Sequence, residues 1–198
     1  MDIENYQRLG LDRRFPMDGE VNGRSNMDGI DALEVPEDAQ YHPCAEAFPP
    51  EAAAAGKVEL IGNWCETRLF PGTVRDLALY TPAGRHHRTN LPVIVFNDGL
   101  MYFDPQGPVR ATRVLDTLIH AGEIPASAAV FVMPGRVSAE NAATEPQDID
   151  PADMEQRSVE CDSLTPLYGP FLLDELLPWA ERHHGVHFSN VGSQPPQL

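Results

Sequence analysis

The chain has 198 residues, enough for one ordinary domain or for one domain with a long tail. Its hydrophobic share of 42% supports a core, while 19 prolines and 15 glycines point to much irregular backbone. A formal net charge of −16, from 30 acidic against 14 basic residues, argues against nucleic acid or an anionic membrane as partner, because either would repel the chain.

Residues 1–56 carry 12 acidic and 4 basic residues and are broken by Pro16, Pro36, Pro43, Pro49 and Pro50, which reads as an extended or partly ordered arm. The opening MDIENYQRLG has no apolar h-region, and no stretch approaches the roughly 20 apolar residues that cross a bilayer, so a soluble cytoplasmic protein is expected. Residues 51–56 (EAAAAG) predict a single helical turn closed by Gly56. From Lys57 the pattern changes. Residues 58–64 and 75–80 read as two strands, separated by turn residues at 70–73, and should pair as an antiparallel hairpin at one edge of a sheet. Residues 82–90, with His86-His87, form a loop. Residues 91–99 (LPVIVFNDG) hold a short apolar run rich in β-branched residues, the habit of a parallel strand buried on both faces. In open α/β sheets ligands sit beyond the carboxyl ends of such strands, which directs attention to Asn97, Asp98 and Gly99.

Residues 111–122 place Val114, Leu115, Leu118 and Ile119 on one helical stripe, with Gly122 as C-cap. Residues 128–133 form a second buried strand stopped by Pro134-Gly135, so strand, helix and strand make a right-handed crossover. Residues 136–156 read as an acidic loop of a length usual for an active-site wall or insert. Residues 157–162 lead into a long helical segment with its stripe at Tyr168, Phe171, Leu172, Glu175 or Leu176, Trp179 and Ala180. Gly169-Pro170 starts it, Pro178 should kink it, and Gly185 closes it. Residues 189–198 are an irregular tail.

The blocks LPVIVFNDG, MYFDPQGPVRATRVLDTLIHAGEIP, VFVMPG and RSVECDSLTPLYGPFLLDELLPWAE resemble, in this order, the family of esterases similar to enterochelin esterase and esterase D. The resemblance covers residues 70–188. It implies an α/β fold, a partial α/β-hydrolase three-layer sandwich over residues 57–188 that lacks the nucleophile strand and those after it. It also implies a small-molecule ester as substrate once the domain is complete, and no cofactor. Such enzymes carry a serine in G-x-S-x-G on a sharp strand-to-helix turn, with the acid and histidine later in the chain. A serine hydroxyl is inert at neutral pH until a histidine can take its proton. None of Ser25, Ser127, Ser138, Ser158, Ser163, Ser189 and Ser193 sits in that motif; Gly23-Arg24-Ser25-Asn26-Met27 comes nearest and lacks the second glycine. No catalytic residue is therefore assigned, and an inactive fragment is expected.

By the same resemblance Gly99 and Leu100 are oxyanion-hole candidates, with Asp98 and Met101 beside them; an ordinary turn needing glycine for positive φ is the plainer alternative. Arg157, Glu160 and Asp162 stand where the family has an R-x-x-E block and are expected to shape the pocket, with a structural Arg157–Glu160 salt bridge as the competing explanation. Cys161 replaces an expected aromatic residue. The three cysteines, Cys44, Cys65 and Cys161, are too few and scattered for a disulfide framework or zinc site, and His183 and His187 find no third ligand, so no metal is expected. In such a fold the 91–99 strand is interior, so the missing neighbour would leave an open edge inviting self-association or a partner chain.

Overall fold

The computed structural model describes residues 20–21, 24–25, 43–84, 90–103, 109–137, 151–164 and 166–189. Expectations for the rest of the arm, the His86-His87 loop, residues 138–150 and the tail beyond Ser189 lie outside the described residues, as do the side chains of Leu100 and Met101. Glu20–Val21 and Arg24–Ser25 form a two-residue antiparallel ribbon.

Four strands make one mixed sheet. β1 (Lys57–Trp64) and β2 (Arg75–Thr81) pair antiparallel, as the hairpin reading expects. β2 then pairs antiparallel with β4 (Ala128–Val132), and β4 pairs parallel with β3 (Val93–Asn97), giving the order β1-β2-β4-β3. β2 and β4 are buried along their whole length, whereas Ile94 of β3 is 37% exposed. The expectation of a β3 buried on both faces is therefore corrected among the described residues: β4, AAVFV, holds the interior place. An apolar run records that a strand needs cover; it does not say which neighbour supplies it.

Alternation along the strands builds two cores. Leu77, Leu79, Val130 and Val132 face one way, onto Phe171, Leu176, Leu177, Trp179 and Ala180. Ala78, Tyr80, Ala129 and Phe131 face the other, onto Phe103, Ala111 and Leu115. The first face is covered by α4 (Leu177–His184) and the helical turns before it, the second by α1 (Leu100–Phe103) and α2 (Ala111–Ala121). Helix, sheet and helix make the three layers of an α/β fold.

Local chemistry fixes the ends of these elements. Gly122 closes α2 at φ 74°, its N–H donating to Ile119 O at 3.1 Å. Gly185 closes α4 in the same left-handed conformation. The long helical segment is not uniform. Tyr168–Pro170 opens it, Phe171–Leu176 is π-helical, and α4 continues through Pro178. The wider π register on the N-terminal side of Pro178 changes the hydrogen-bond pattern where its N–H is missing. The acidic loop is shorter than expected, because Pro151–Arg157 forms α3 and Ser158–Asp162 continues it as a π-helical turn. Pro151 suits the first position of α3, and Asp153 accepts the Val137 N–H at 2.9 Å.

Residues 43–56 pack onto the domain rather than joining the arm. The helical turn lies at Ala45–Ala47 instead of residues 51–56, since alanine-rich sequence without a buried face does not hold so short a helix. Ala47 is buried, and Thr117 Oγ1 donates to Glu46 O at 2.7 Å. Gly56 N–H donates to Asp116 Oδ1 at 2.8 Å, and Tyr80 Oη donates to the same oxygen at 2.7 Å. Burial pushes the Asp116 carboxyl up from its ordinary value, and these hydrogen bonds only partly oppose it. A carboxyl raised in the fold favours folding while protonated and loses that contribution as pH rises through its folded pKa. Asp116→Asn keeps an oxygen for both donors and removes the buried charge. It should therefore unfold at higher urea than the unmodified chain at pH 7, by a margin that shrinks in acid. An Asn variant that is less stable at pH 7 contradicts this.

Candidate functional site

The parallel strands β3 and β4 end at the same side of the sheet, where antiparallel β2 begins. Three short stretches therefore meet there: Asn97-Asp98-Gly99 after β3, Pro134-Gly135 after β4, and Thr73 to Arg75 leading into β2.

The organising side chain is Arg75, which is fully buried. Its Nη1 donates to Glu160 Oε2 at 2.8 Å and its Nη2 to Glu160 Oε1 at 3.1 Å, a bidentate pair whose members are both 0% exposed. Nη2 also donates to Thr73 Oγ1 at 3.0 Å. The guanidinium stacks over Phe171, 4.4 Å from the ring centroid, with Phe70 and Trp64 further round. Glu160 additionally accepts Gln156 Nε2 at 2.7 Å and the Gly135 N–H at 3.2 Å. A Cβ on Gly135 would stand 2.6 Å from Glu160 Oε1 and 3.0 Å from Arg75 Nη2, so only glycine leaves room for the pair.

The expected alternative of an Arg157–Glu160 salt bridge is corrected. Arg157 instead grips Asp98, with Nη2–Oδ2 at 2.8 Å and Nε–Oδ1 at 3.2 Å, and reaches Asp162 Oδ2 at 3.3 Å. An i, i+3 pair meets on an α-helix. The π-helical turn here carries Glu160 inward to Arg75 and leaves Arg157 at the surface of the Asp98 turn. The hydrogen bond to Asp98 holds the Arg157 pKa above its ordinary value.

The turn after β3 also differs from its expected form. Asp98 has the positive φ, 51°, and Gly99 does not. Glycine is needed at 99 because a Cβ there would run into Phe96 O and stand 2.5 Å from Phe131 Cα and 2.6 Å from Val132 N. The Gly99 N–H donates to Val132 O at 3.0 Å, tying the end of β3 to the end of β4. That amide is engaged by the sheet; Leu100 follows as the first residue of α1. On the other side of the turn Tyr168 Oη donates to Asn97 Oδ1 at 2.8 Å. Burial pushes the Tyr168 hydroxyl pKa up, and burial together with the charge of Asp98 pushes up that of the half-buried Cys161 thiol.

The structure brings Asp98, Arg157 and Asp162 together, while Glu160 belongs to the layer beneath. Sequence reading gave Arg75 no role beyond its strand and Gly135 none beyond stopping one; Tyr168, read on the apolar stripe, packs partly buried against the core and also reaches Asn97. The one available signal was an arginine in a strand whose other positions are mostly apolar.

The Ser127, Ser158 and Ser163 hydroxyls donate to Pro125 O, Asp162 Oδ2 and Val159 O respectively. His183 stacks on Trp179, with Nδ1 2.9 Å from Trp179 O, and His184 Nδ1 lies 3.0 Å from Glu59 Oε2. Among the described residues no group of three or more His, Cys, Asp or Glu is placed to hold a metal, and no helix is long and apolar enough to cross a membrane. After α4 the chain turns back to β3. Leu91 N–H donates to His187 O at 3.0 Å and Ser189 N–H to Leu91 O at 2.8 Å, a parallel bridge between Leu91 and Phe188.

The family described as "Putative esterase" matches residues 71–191. No curated protein matches the chain in sequence. Among solved structures, ferric enterobactin esterase from Salmonella typhimurium is 18% identical at a TM-score of 0.49, over 78% of this chain and 31% of its own. A ferulic acid esterase from Anaeromyces mucronatus, in complex with ferulic acid, is 16% identical at a TM-score of 0.46, over 74% of this chain and 48% of its own. The feruloyl esterase module from Clostridium thermocellum is 19% identical at a TM-score of 0.38, over 52% of this chain and 36% of its own. The chain spans less than half the length of each of these proteins. With the family matched across most of the chain, in blocks that include the Asp98 turn and the Arg75–Glu160 pair, the chain belongs to this esterase family.

Proposed function

We propose that this chain is the oxyanion-side portion of a serine esterase acting on small carboxylic esters, and that its 198 residues do not turn an ester over on their own. The observation that carries the reading is the brace around the Asp98–Leu100 turn. Arg157 grips Asp98 from outside, and the Gly99 N–H is bonded to Val132 O from beneath. A donor that stabilises a developing oxyanion works by being fixed before the reaction starts, so it costs no reorganisation at the transition state. Gly99 spends its N–H on the sheet, so the amide this reading assigns to the oxyanion is that of Leu100. On this reading Asp98 and Asp162, joined through Arg157, stand on the carbonyl side. A serine alkoxide would attack the ester carbon while a histidine takes the serine proton, and the charge gathering on the carbonyl oxygen would be met by that amide.

The sequence supplies no G-x-S-x-G for the attacking group. The purified chain should therefore release p-nitrophenol from p-nitrophenyl acetate no faster than buffer does. Turnover that persists in the Ser158→Ala/Ser163→Ala variant overturns the inactive reading, and turnover lost with those serines assigns them a role this account does not.

A second reading rests on the outer edge of β3. Among the described residues, β3 beyond Leu91 is paired on one side only, and Ile94 is exposed there. Such an edge recruits another chain, either a second copy or one carrying the serine. Sedimentation of the purified chain separates these: a mass that rises with concentration supports self-association, and a monomer at all concentrations removes it.

A further inference from the structure

The Arg75–Glu160 pair lies too deep to touch a substrate, yet it is wired to the turn that would. Glu160 sits in the π-helical turn Ser158–Asp162, directly after Arg157 and Ser158-Val159. Both Glu160 oxygens are held, by Arg75, Gln156 and the Gly135 N–H. That anchorage fixes the turn against the ends of β2 and β4. Arg157, the last residue of α3 just before this turn, bonds both oxygens of Asp98. Asp98 in turn holds a left-handed backbone conformation, uncommon for a non-glycine residue though among the more tolerated for Asp. Gly99 and Leu100 follow at once.

We propose that the buried Arg75–Glu160 pair is a positioning element for the Asp98–Leu100 turn, acting through the π-helical turn and the Arg157–Asp98 ion pair. Its meaning for chemistry rests on the oxyanion-side reading above; its geometry does not. The linkage runs in one order. Glu160 sets where Arg157 starts, Arg157 sets Asp98, and Asp98 sets the two amides after it. A pair that served only to fill the core would have no reason to reach this turn more than any other part of the sheet.

Amide hydrogen exchange of the 198-residue chain, read residue by residue by NMR, tests this without any ester. The reporters are Gly99, whose N–H donates to Val132 O, and Gly135, whose N–H donates to Glu160. Leu79 in the β1–β2–β4 ladder is the control. Arg157→Gln alters only a half-exposed side chain, so the fold persists. It should speed Gly99 exchange about tenfold and leave Gly135 and Leu79 unchanged. Glu160→Gln keeps one carbonyl acceptor but leaves Arg75 without its counter-charge, so Leu79 should speed with the loss of global stability, and the linkage is read as acceleration of Gly99 and Gly135 beyond that of Leu79. In the double variant the Gly99 effect should not exceed the larger single effect by more than about twofold, because both changes cut one linkage. An unmoved Gly99 in Arg157→Gln, multiplying effects in the double variant, or equal acceleration of Leu79 would each overturn the proposal. Ester turnover of a serine-completed domain tests the site reading separately, so the two can fail independently.

Discussion

Arg75→Met should cost the fold about 3–5 kcal/mol, because it strands a carboxylate that the surrounding protein shields completely from water. Glu160 would keep only the Gln156 amide and the Gly135 N–H, neither of which carries charge. A loss of that size is a large part of the 5–15 kcal/mol that holds an ordinary domain together. The same reasoning predicts a recovery. Arg75→Met combined with Glu160→Leu removes both charges, and well-packed apolar side chains in place of a buried pair are often neutral or better. The double variant should regain most of the stability while losing control of the Asp98 turn. Urea unfolding followed by circular dichroism measures both, with Lys57→Met as a surface comparison. Lys57 is 61% exposed, so its pair with Glu59 should contribute below about 1 kcal/mol. An Arg75→Met loss as small as that would mean the pair is hydrated.

Gly99→Ala is the second large effect. The added methyl would meet Phe96 O, Phe131 Cα and Val132 N, all backbone atoms of the two strands the turn joins. Side chains can rotate away from an intruder, but a hydrogen-bonded strand cannot without losing register. The change should cost about 3 kcal/mol, the upper end for overpacking, and should weaken the Gly99 N–H bond to Val132 O. Gly169→Ala is the matched control, since nothing lies within 4 Å of a Cβ there and its φ is not positive. It should change stability by less than about 1 kcal/mol, in the stabilising direction if either. Thermal unfolding of the two variants side by side reads the difference. Equal melting temperatures would show that the turn is not packed against β4 in solution.

These two sites show where sequence reading stopped. The strands, α2 with its Gly122 stop and the Gly185 stop were legible, because periodicity and the special backbone of glycine act locally. The place of β3 was not, since exposure depends on which strands flank it. The partner of Glu160 was not either. The local rule offered Arg157 three residues away, whereas the structure chose Arg75, 85 positions distant in the chain. For Gly99 the alternative of a turn needing positive φ fails. Its neighbour Asp98 carries the positive φ, and the glycine is required by β4, which approaches it from another part of the sequence.

The most direct test of the proposal that this chain carries an esterase's oxyanion-side turn without its nucleophile is covalent labelling with a fluorophosphonate, read by intact mass. An activated serine is phosphonylated because a base removes its proton, and an ordinary surface serine is not. The purified 198-residue chain should keep its unmodified mass after incubation with excess reagent. A stoichiometric adduct mapping to any of its seven serines would mean that a complete site already exists within it.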